Sequence, residues 1–467
     1  MTAAVTHDSR VVVPGGVFVA IRGFSVDGVD FVPQALARGA GLVVAERDVP
    51  GAPTAVVGDA RLALAKLAVA VAGDPSSQLQ VYGITGTNGK TTSSYVLHAI
   101  LTAAYGSPRT GFMTTTEIGV GAVREYAVRT TEEAPRVQGT LARMRDAGVI
   151  HVVLETSSHG IHLQRVTGTR YAAALFTNLT RDHLDLHGTM EAYYRTKRRL
   201  FEWATGPKLA NADDGYGRRL AAEISGTLTF GLDASADYRI TGERVQGTGT
   251  DFGLTTPRHG SLTLHTPLLG DYNVHNVAGA AALALEIGIP ADTLTAAIAA
   301  MPQVPGRFER VAAALPYGFE VVVDYAHTDV GLAAVLEVAR RVARDRGAGG
   351  RVICVYGATG DRDRAKRPLM GQIASRLADI AVITTDDAYA EDPREIAAEV
   401  AAGADMSRTE VIIDRRSAIA HALRLARPGD LVVVAGKGHE RVQHLPTGDR
   451  DFHDATVVTE LLSLLPE

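Results

Sequence analysis

The sequence predicts an α/β protein organised in three blocks around parallel, doubly wound sheets. Short β-branched runs alternate with Ala/Leu-rich helical stretches along the chain, the rhythm of strand-then-helix layers. A Gly/Thr-rich loop links one of these strands to the helix after it, the connection that binds phosphate in such sheets. At 467 residues the chain is about three times the usual single-domain length of roughly 150, so several cores are expected.

The first block, residues 1–78, contains the strand candidates Val11–Val13, Val17–Ile21 and Leu42–Ala45. It ends in an Ala/Leu helix, Ala60–Ala72, followed by the polar break Asp74-Pro75-Ser76-Ser77. The second, residues 79–304, opens with the strand Gln80–Ile84 and closes on the Ala-rich helix Val277–Ile287 and the turn-rich stretch after Met301. The third, residues 305–467, reads as strand–helix units: Glu320–Val323, Val330–Val342, Arg351–Tyr356, Arg367–Ala378, Ile380–Thr384, then a helix. Val411–Ile413, a helix at Arg416–Ala426 and Leu431–Ala435 complete it. Short connections between such units favour a parallel sheet.

Composition narrows the function. Hydrophobic residues make up 46% of the chain, enough for several buried cores and too many for disorder. The 47 Lys plus Arg nearly balance 52 Asp plus Glu, a net charge of −5, which excludes a bulk electrostatic binder of nucleic acid or membrane. The single cysteine, Cys354, lies in an apolar run and excludes a disulfide framework or a Cys-rich metal site. Asp8 and Arg10 stand where a signal peptide would need apolar residues, and no run of about 18 uncharged apolar residues occurs. A soluble, cytoplasmic, monomeric protein without membrane insertion is expected.

The most informative segment is Tyr82-Gly83-Ile84-Thr85-Gly86-Thr87-Asn88-Gly89-Lys90-Thr91-Thr92, between a strand and a helical stretch. Glycines let backbone N–H groups converge on phosphate oxygens, and the helix N-terminus adds partial positive charge. Lys90 would neutralise the β/γ-phosphates and the Thr91 hydroxyl would ligate Mg²⁺. Ile84 occupies the opening glycine position of the standard loop. The loop predicts nucleoside-triphosphate binding without saying whether water, a protein or a metabolite receives the phosphoryl group.

Other groups could join it. The strand through Val152-Val153-Leu154 delivers Glu155 at its C-terminal end, where a parallel sheet binds ligands and a carboxylate can reach a metal. The segment from Phe176 to Gly188 packs Asn178, Asp182, His183, Asp185 and His187 into one loop, suited to metal and phosphate ligation. Lys197, taken alone among Arg195, Arg198 and Arg199, reads as part of a solvated basic helix face. His98 and His421 read as ordinary helix or surface residues. In the third block the turns Gly357–Asp363, Thr384–Tyr389 and Gly436–Glu440 each follow a strand, the position of a second binding surface.

Together these segments resemble the Mur ligases, the ATP-dependent peptide-bond-forming enzymes of peptidoglycan assembly, and within them the MurE type, the UDP-N-acetylmuramoyl-tripeptide synthetases. The resemblance spans nearly the whole chain. It rests on Asp8-Ser9-Arg10 with Gly23–Gly28, Gly86–Thr92, Glu155–Gly160, Asn178–Met190 and Asn273–Asn276. It continues through Pro305-Gly306-Arg307, Asp324–Thr328, Gly360–Met370 and Gly436–Glu440.

The resemblance implies three domains: a UDP/acceptor-binding domain, a central P-loop ATPase-like domain and a C-terminal Rossmann-like domain that receives the amino acid. It implies ATP contacts from Gly86, Thr87, Asn88, Gly89, Lys90, Thr91 and Thr92, and from Asn276, Arg307 and Asp324, with His327 close by. Thr91, Glu155 and His183 would hold two Mg²⁺ ions. Lys197 falls on the family's carbamylated lysine, a cation converted to an anion fit for a metal site. Lys90, Lys197, His183 and Glu155 would thus carry the catalysis. Ser9, Ser25 and Asp27 match the uridine region, and Thr130, Thr131, Ser157 and Arg165 the muramoyl-dipeptide contacts. Arg362 matches the contact to the amino acid's main carboxylate, Glu440 the group receiving an amine, and Asp386, Asp387, Tyr389 and Gly436 the rest of that pocket.

The implied chemistry is phosphorylation of the D-Glu γ-carboxylate of UDP-MurNAc-L-Ala-D-Glu, then attack by a free amino acid's amine on the acyl phosphate, giving amide, ADP and phosphate. The third domain would have to close over the others to bring amine and acyl phosphate together. One departure concerns specificity. Family members that add meso-diaminopimelate carry Asp-Asn-Pro-Arg, whose arginine grips the distal carboxylate, where this chain has Asp386-Asp387-Ala388-Tyr389. An extra acid and no arginine favour a distal ammonium, so L-lysine or L-ornithine is expected ahead of meso-diaminopimelate. Asp329 replaces a usual proline and Leu163 a glutamine, which leaves open a relative acting on another acceptor in secondary metabolism. The rival of a different class is a non-catalytic nucleotide-binding scaffold, which should have lost Lys90, Glu155 or Lys197; all three are present.

Overall fold

The computed structural model describes residues 4–24, 26–246, 249–345 and 349–464. Two compact units divide the chain. One runs to Gly242 and takes in Phe252–Leu264 and His275–Ala299; the other joins Glu243–Asp251 and His265–Val274 to the chain from Ala300.

The first unit opens with a four-stranded parallel sheet, β1 (Val5–Thr6), β2 (Val17–Val19), β3 (Leu42–Ala45) and β4 (Thr54–Val56), in that order. Alternation decides its two faces. Val19 and Val44 pack with Leu64 and Ala68 of the helix Ala60–Val71, while Phe18 and Val43 pack with Val32 and Ala35. The Asp59 carboxylate caps that helix by accepting from the Leu62 N–H. The strand expected at Val11–Val13 does not form. Ser9–Val11 is a short 3₁₀ turn whose preceding Asp8 carboxylate accepts from the Arg10 N–H. Local side-chain capping outcompetes extension here: Val12 enters the first core, whereas Val11 and Val13 on either side of it stay exposed.

The second sheet has eleven strands: β5 (Gln80–Thr85), β6 (Thr110–Met113), β7 (Glu117–Val120), β8 (Val123–Tyr126), β9 (His151–Glu155), β10 (Ala173–Phe176), β11 (Lys208–Asn211), β12 (Thr227–Gly231), β13 (Tyr238–Gln246), β14 (Gly249–Thr256) and β15 (Gly260–Thr266). Their order is β15-β14-β13-β12-β11-β10-β5-β9-β6-β7-β8. The strands from β12 to β6 in that order are parallel, and β7 and β8 add an antiparallel edge. Val81, Val152, Leu154 and Phe176 enter one core with Val137, Leu141, Leu200 and Phe201. The strands β6–β8 and β11–β15 were not anticipated, since their sequences are short or broken by glycine, threonine and charged residues and carry no long apolar run.

The second unit holds a six-stranded sheet: β16 (Glu309–Arg310), β17 (Glu320–Asp324), β18 (Val352–Tyr356), β19 (Ile380–Ile383), β20 (Thr409–Val411) and β21 (Leu431–Ala435). The order is β16-β17-β21-β18-β19-β20, parallel except at β16. The expected doubly wound pattern is present. Val322, Cys354, Ile383 and Val433 face one helical layer, and Val321, Ile353, Val382 and Val432 the other. A hairpin of β22 (Val442–Leu445) and β23 (Gly448–Asp451) follows. Arg415 and Asp454, both fully buried, pair at 2.7 Å, and Arg415 also donates to the Ala435 carbonyl at 2.9 Å. No helix among the described residues is long and apolar enough to cross a membrane.

His98, on the helix Lys90–Tyr105, is 9% exposed with its ring 4.6 Å from Phe112. Burial pushes its pKa down to about 4, with the Arg124 charge adding to the effect. Between about 4 and 6.5 the unfolded chain therefore binds more protons at this site, and stability falls as the pH drops through that window. His98→Leu is expected to flatten the fall of Tm between pH 6.5 and 4, measured by thermal melts; an unchanged slope contradicts this account.

Candidate active site

The loop after β5 is shaped by two glycines in the positive-φ region, Gly86 (φ 153°) and Gly89 (φ 83°). A Cβ at Gly86 would strike the Thr177 hydroxyl, and one at Gly89 the Asn276 side-chain oxygen. The loop is tied to the segment after β10. Thr87 N–H donates to the Asn178 carbonyl at 2.8 Å, Asn88 N–H to Asn178 Oδ1 at 2.9 Å, and the Thr177 hydroxyl to the Asn88 carbonyl at 2.6 Å. Lys90 Nζ donates to the Thr87 carbonyl at 2.9 Å. The helix Lys90–Tyr105 starts at the loop's end, so its positive dipole end faces the loop. Thr91 and Thr92 are buried in its first turn, and Ser93 Oγ lies 3.3 Å from the Asn276 carbonyl.

Glu155, at the end of β9, is buried against Thr91. The Thr91 hydroxyl lies 3.1 Å and 3.2 Å from its two oxygens; Thr115 donates its N–H at 2.9 Å and its hydroxyl at 3.0 Å. A carboxylate beside a hydroxyl is a hard oxygen donor set that suits Mg²⁺.

Lys197 does not lie on a solvated basic face. It is 1% exposed and its Nζ donates to the Gly86 carbonyl at 2.7 Å. The helix Met190–Trp203 buries Tyr193, Lys197, Leu200 and Phe201 on one stripe, at helical spacing, while Arg195 and Arg198 pair with acids on the outside. Burial first, and then the charge of Lys90, drives the Lys197 pKa well below its ordinary value. The same burial disfavours the charged form of this amine.

His183 precedes the short helix Leu184–His187 with φ 52°. Its ring meets the edge of His159 at 4.5 Å, and burial lowers its pKa. Burial pushes His159 and His187 down to about 4. This cluster is uncharged imidazole near neutrality, the form that ligates metals.

The four residues expected to touch the acceptor form one network with Glu155. The Thr115 hydroxyl lies 3.1 Å from Thr130 Oγ1, and Thr131 Oγ1 donates to the Glu155 carbonyl at 2.9 Å while accepting from Ser157 N–H at 3.0 Å. Arg165 donates to the Thr131 carbonyl at 3.1 Å and pairs with Glu133 at 2.6 Å. Ser9 and Asp27 lie in the first sheet's domain. The Ser9 hydroxyl donates to Gln34 at 2.6 Å, and Asp27 accepts from Val29 N–H and pairs with Arg47 at 2.9 Å. Ser25 lies outside the described residues.

The second unit gathers two groups of its own. Asp324, at the end of β17, is buried and accepts from the Phe308 and Ala326 N–H groups at 2.6 and 2.8 Å. The Arg307 guanidinium lies 4.6 Å over the Tyr325 ring, and His327 Nδ1 lies 2.8 Å from the Tyr325 carbonyl. The other group lies beyond β18, β19 and β21. Asp386, Asp387 and Glu440 each place an oxygen within 4.8 Å of one another. The Lys437 ammonium, itself buried, bonds Asp387 at 2.8 Å and Glu440 at 2.9 Å. Gly436 presses on Asp386, so that a Cβ there would come within 2.7 Å of its Oδ2. The Arg362 guanidinium stands 5.5 Å over the Tyr389 ring, whose other contact is a stack on His444 at 5.0 Å. Burial pushes Glu440 up to about 7, the Lys437 charge opposing it.

One expectation is corrected here. Asp387 does not stand ready for a distal substrate ammonium: its Oδ1 already takes the Lys437 ammonium and the His444 N–H, at 2.8 and 2.9 Å. Lys437, Thr115 and Glu133 were missed by sequence reasoning. Thr115 could have been found from the run Thr114-Thr115-Thr116 at the end of a strand, and Lys437 from its place between two glycines of a strand-end turn. Nothing in the sequence around Glu133 marks it.

Residues 2–83 match the family model described as Mur ligase family, catalytic domain, residues 84–284 the Mur ligase middle domain, and residues 306–438 the Mur ligase glutamate ligase domain. The UDP-N-acetylmuramoyl-L-alanyl-D-glutamate--2,6-diaminopimelate ligase of Geobacillus kaustophilus is 41% identical over 97% of this chain and 93% of its own. The UDP-N-acetylmuramyl-tripeptide synthetase of a Roseiflexus species is also 41% identical, over 94% and 90%. A solved 2,6-diaminopimelate ligase structure aligns with a TM-score of 0.68 and 32% identity over 99% of this chain and 94% of that one. The ADP complex of Thermotoga maritima MurF ligase shares the fold, with a TM-score of 0.67 and 20% identity over 99% and 97%. For the loop itself, Gly89→Ala imposes a strained φ and a clash with Asn276, a combination costing on the order of 1–3 kcal/mol. The variant is expected to lose at least about tenfold in affinity for an ATP analogue by calorimetry, and unchanged affinity would contradict the role given to this turn. The chain belongs to the Mur ligase family and is an ATP-dependent ligase.

Proposed function

We propose that this ligase adds 2,6-diaminopimelate to UDP-MurNAc-L-Ala-D-Glu through an acyl phosphate, a step of peptidoglycan precursor synthesis, as a cytoplasmic monomer. The observation that carries the reading is the array at the ends of β5 and β9: Lys90, Thr91, Glu155 and a buried Lys197, whose pKa burial pulls down, around one glycine loop. The amino acid is taken from the relatives' names. The expectation of L-lysine or L-ornithine finds no support among them, and the acid behind it is already paired with Lys437. Although the arginine of Asp-Asn-Pro-Arg is absent, the pocket is not without cations, since Arg362 covers Tyr389 and Lys437 lies between two acids.

In the first step the D-Glu γ-carboxylate attacks the γ-phosphorus of ATP, ADP leaves, and an acyl phosphate forms. Lys90 and the loop N–H groups offset the charge on the transferring phosphoryl group. Thr91, Glu155 and His183, with Lys197 once carbamylated, would hold Mg²⁺, which supplies Lewis-acid charge compensation to the triphosphate. Carbamylation needs the neutral amine: Lys197 Nζ bonds to the carbon of CO₂ and sheds a proton, leaving an anion where an ammonium would face Lys90. Thr130, Thr131, Ser157 and Arg165 orient the acceptor beside Glu155, and Ser9, Ser25 and Asp27 take the uridine end. In the second step the amine attacks the acyl carbon and phosphate leaves. Carboxylate is a poor electrophile because oxide would have to depart; the acyl phosphate removes that obstacle.

The test is phosphate release with ATP, Mg²⁺ and UDP-MurNAc-L-Ala-D-Glu against a panel of amino acids. Release is expected with meso-diaminopimelate, and Lys90→Ala should lower kcat by about 10²-fold or more. Normal turnover by that variant, or release with no member of the panel, defeats the proposal. The carbamate has its own signature: activity should decline in CO₂-depleted buffer and return with bicarbonate, and indifference to both argues against the modification.

A further inference from the structure

The amino-acid pocket contains a buried charge arrangement that the reaction as described does not use. Three carboxylates, Asp386, Asp387 and Glu440, each place an oxygen within 4.8 Å of the others. The Lys437 ammonium, with no solvent exposure of its own, bonds two of them, Asp387 and Glu440. Asp386 is 3% exposed, and its Oδ2 has no hydrogen-bond partner among the described residues. An unpaired buried carboxylate oxygen is costly, and a ligand ammonium would remove that cost. Three further features confine the arrangement. Gln443 holds the Thr385 and Asp386 carbonyls with its side-chain N–H at 3.3 and 3.1 Å, His444 N–H holds Asp387, and Gly436 leaves just enough room beside Asp386 Oδ2.

We propose that Lys437 is a positioning residue that sets amino-acid specificity: by occupying Asp387 and Glu440 it leaves Asp386 Oδ2 to receive a substrate ammonium and makes room in charge terms for a carboxylate beside it. This rests on the amino-acid-adding reading above. A distal end carrying only an ammonium is cationic, whereas one carrying ammonium and carboxylate together is neutral overall. Each positive charge in the pocket therefore shifts preference toward the second kind, and each negative charge toward the first. Here Lys437 is the positive charge bonded to two of the three acids. The same logic predicts opposite signs for removing the lysine and removing one of its partners, a pattern that loss of packing alone does not produce.

The experiment compares the full chain with Lys437→Met, Lys437→Arg and Asp387→Asn. The quantity read is the ratio of kcat/KM for meso-diaminopimelate to that for L-lysine, with KM values for ATP and the UDP-linked acceptor measured alongside. Lys437→Met should lower the ratio by about tenfold, Asp387→Asn should raise it by a similar factor, and Lys437→Arg should stay within about threefold of the parent. The ATP and acceptor KM values should not move. Equal ratios in all four proteins, or shifts of the same sign in Lys437→Met and Asp387→Asn, overturn the proposal. Should Lys437→Met fail to fold, Asp387→Asn decides: a raised ratio supports the role of Lys437, and an unchanged or lowered one refutes it. If the parent releases phosphate with neither amino acid, the function proposed above fails on its own. The same ratios are then read as dissociation constants by calorimetry, where binding of neither amino acid to the parent refutes this inference as well.

Discussion

The Nζ of Lys197 lies 2.7 Å from the Gly86 carbonyl, in the same buried neighbourhood as Lys90 and Glu155, and the chemistry of the site turns on that contact. Two ammonium groups and one carboxylate cannot share so dry a volume without strong repulsion. Lys90 bonds a loop carbonyl at the phosphate position. Burial, and then the Lys90 charge, pull the Lys197 pKa well down. The same constraint explains why an apparently basic helix is folded with one lysine turned inward: Tyr193, Leu200 and Phe201 share its stripe, and Lys197 brings its amine to the loop along that apolar face. A methionine there would pack as well but would leave the Gly86 carbonyl without its donor.

Parallel strand direction does the rest of the positioning. In β5 and β9 the register sets Ile84 beside Glu155, and in β10 and β5 it sets Phe176 beside Thr85. Every strand therefore ends at one level, and the loops that follow meet along one edge. Thr115 after β6, Glu155 at the end of β9, the Gly86–Thr92 turn after β5 and Thr177 and Asn178 after β10 all project from it. The second unit repeats the device with different chemistry: Asp324 ends β17, and Thr384–Asp387 and Gly436–Glu440 follow β19 and β21. The first edge offers hydroxyls, amides and amines to a polyphosphate; the second offers buried acids and cations to a zwitterion.

Legibility in the sequence followed the strength of the local signal. The glycine loop, Glu155 and the alternation of the third block could be read because each is a contiguous pattern whose physics is local. Val11–Val13 misled because only Val12 of the three reaches a core, and Asp8 captured the segment's N–H first. Lys197 read as a surface residue because three arginines surround it, although the apolar residues four before and three and four after it show the buried stripe. Asp387 misled for another reason. Its partner lies 50 positions away, and no inspection of Asp386–Tyr389 reveals that a lysine in another turn has already neutralised it. Long-range pairing was the part of the site that sequence could not supply; the resemblance to Mur ligases gave the residues but not who among them is already paired.

Backbone strain marks the same places. Outside glycine, positive φ occurs among the described residues at Asp74, Gln164, His183, Phe308, Asp361 and Tyr389. Asp74 belongs to a turn before the second sheet, whereas the others adjoin or form the sites: Gln164 precedes Arg165, Phe308 follows Arg307, and Asp361 precedes Arg362. Each such residue costs on the order of 1–3 kcal/mol and persists only where neighbours compel it. The compelling contacts are visible. Phe308 gives its N–H to Asp324, Asp361 gives its own to Glu391 while accepting from Ala390, and Tyr389 gives its own to the His444 carbonyl. In each case a hydrogen bond from a second segment holds the strained residue and so couples two loops of the pocket. Strain stored this way orders Arg307, Arg362 and the Tyr389 ring before any substrate arrives, so that less binding energy is lost to arranging them.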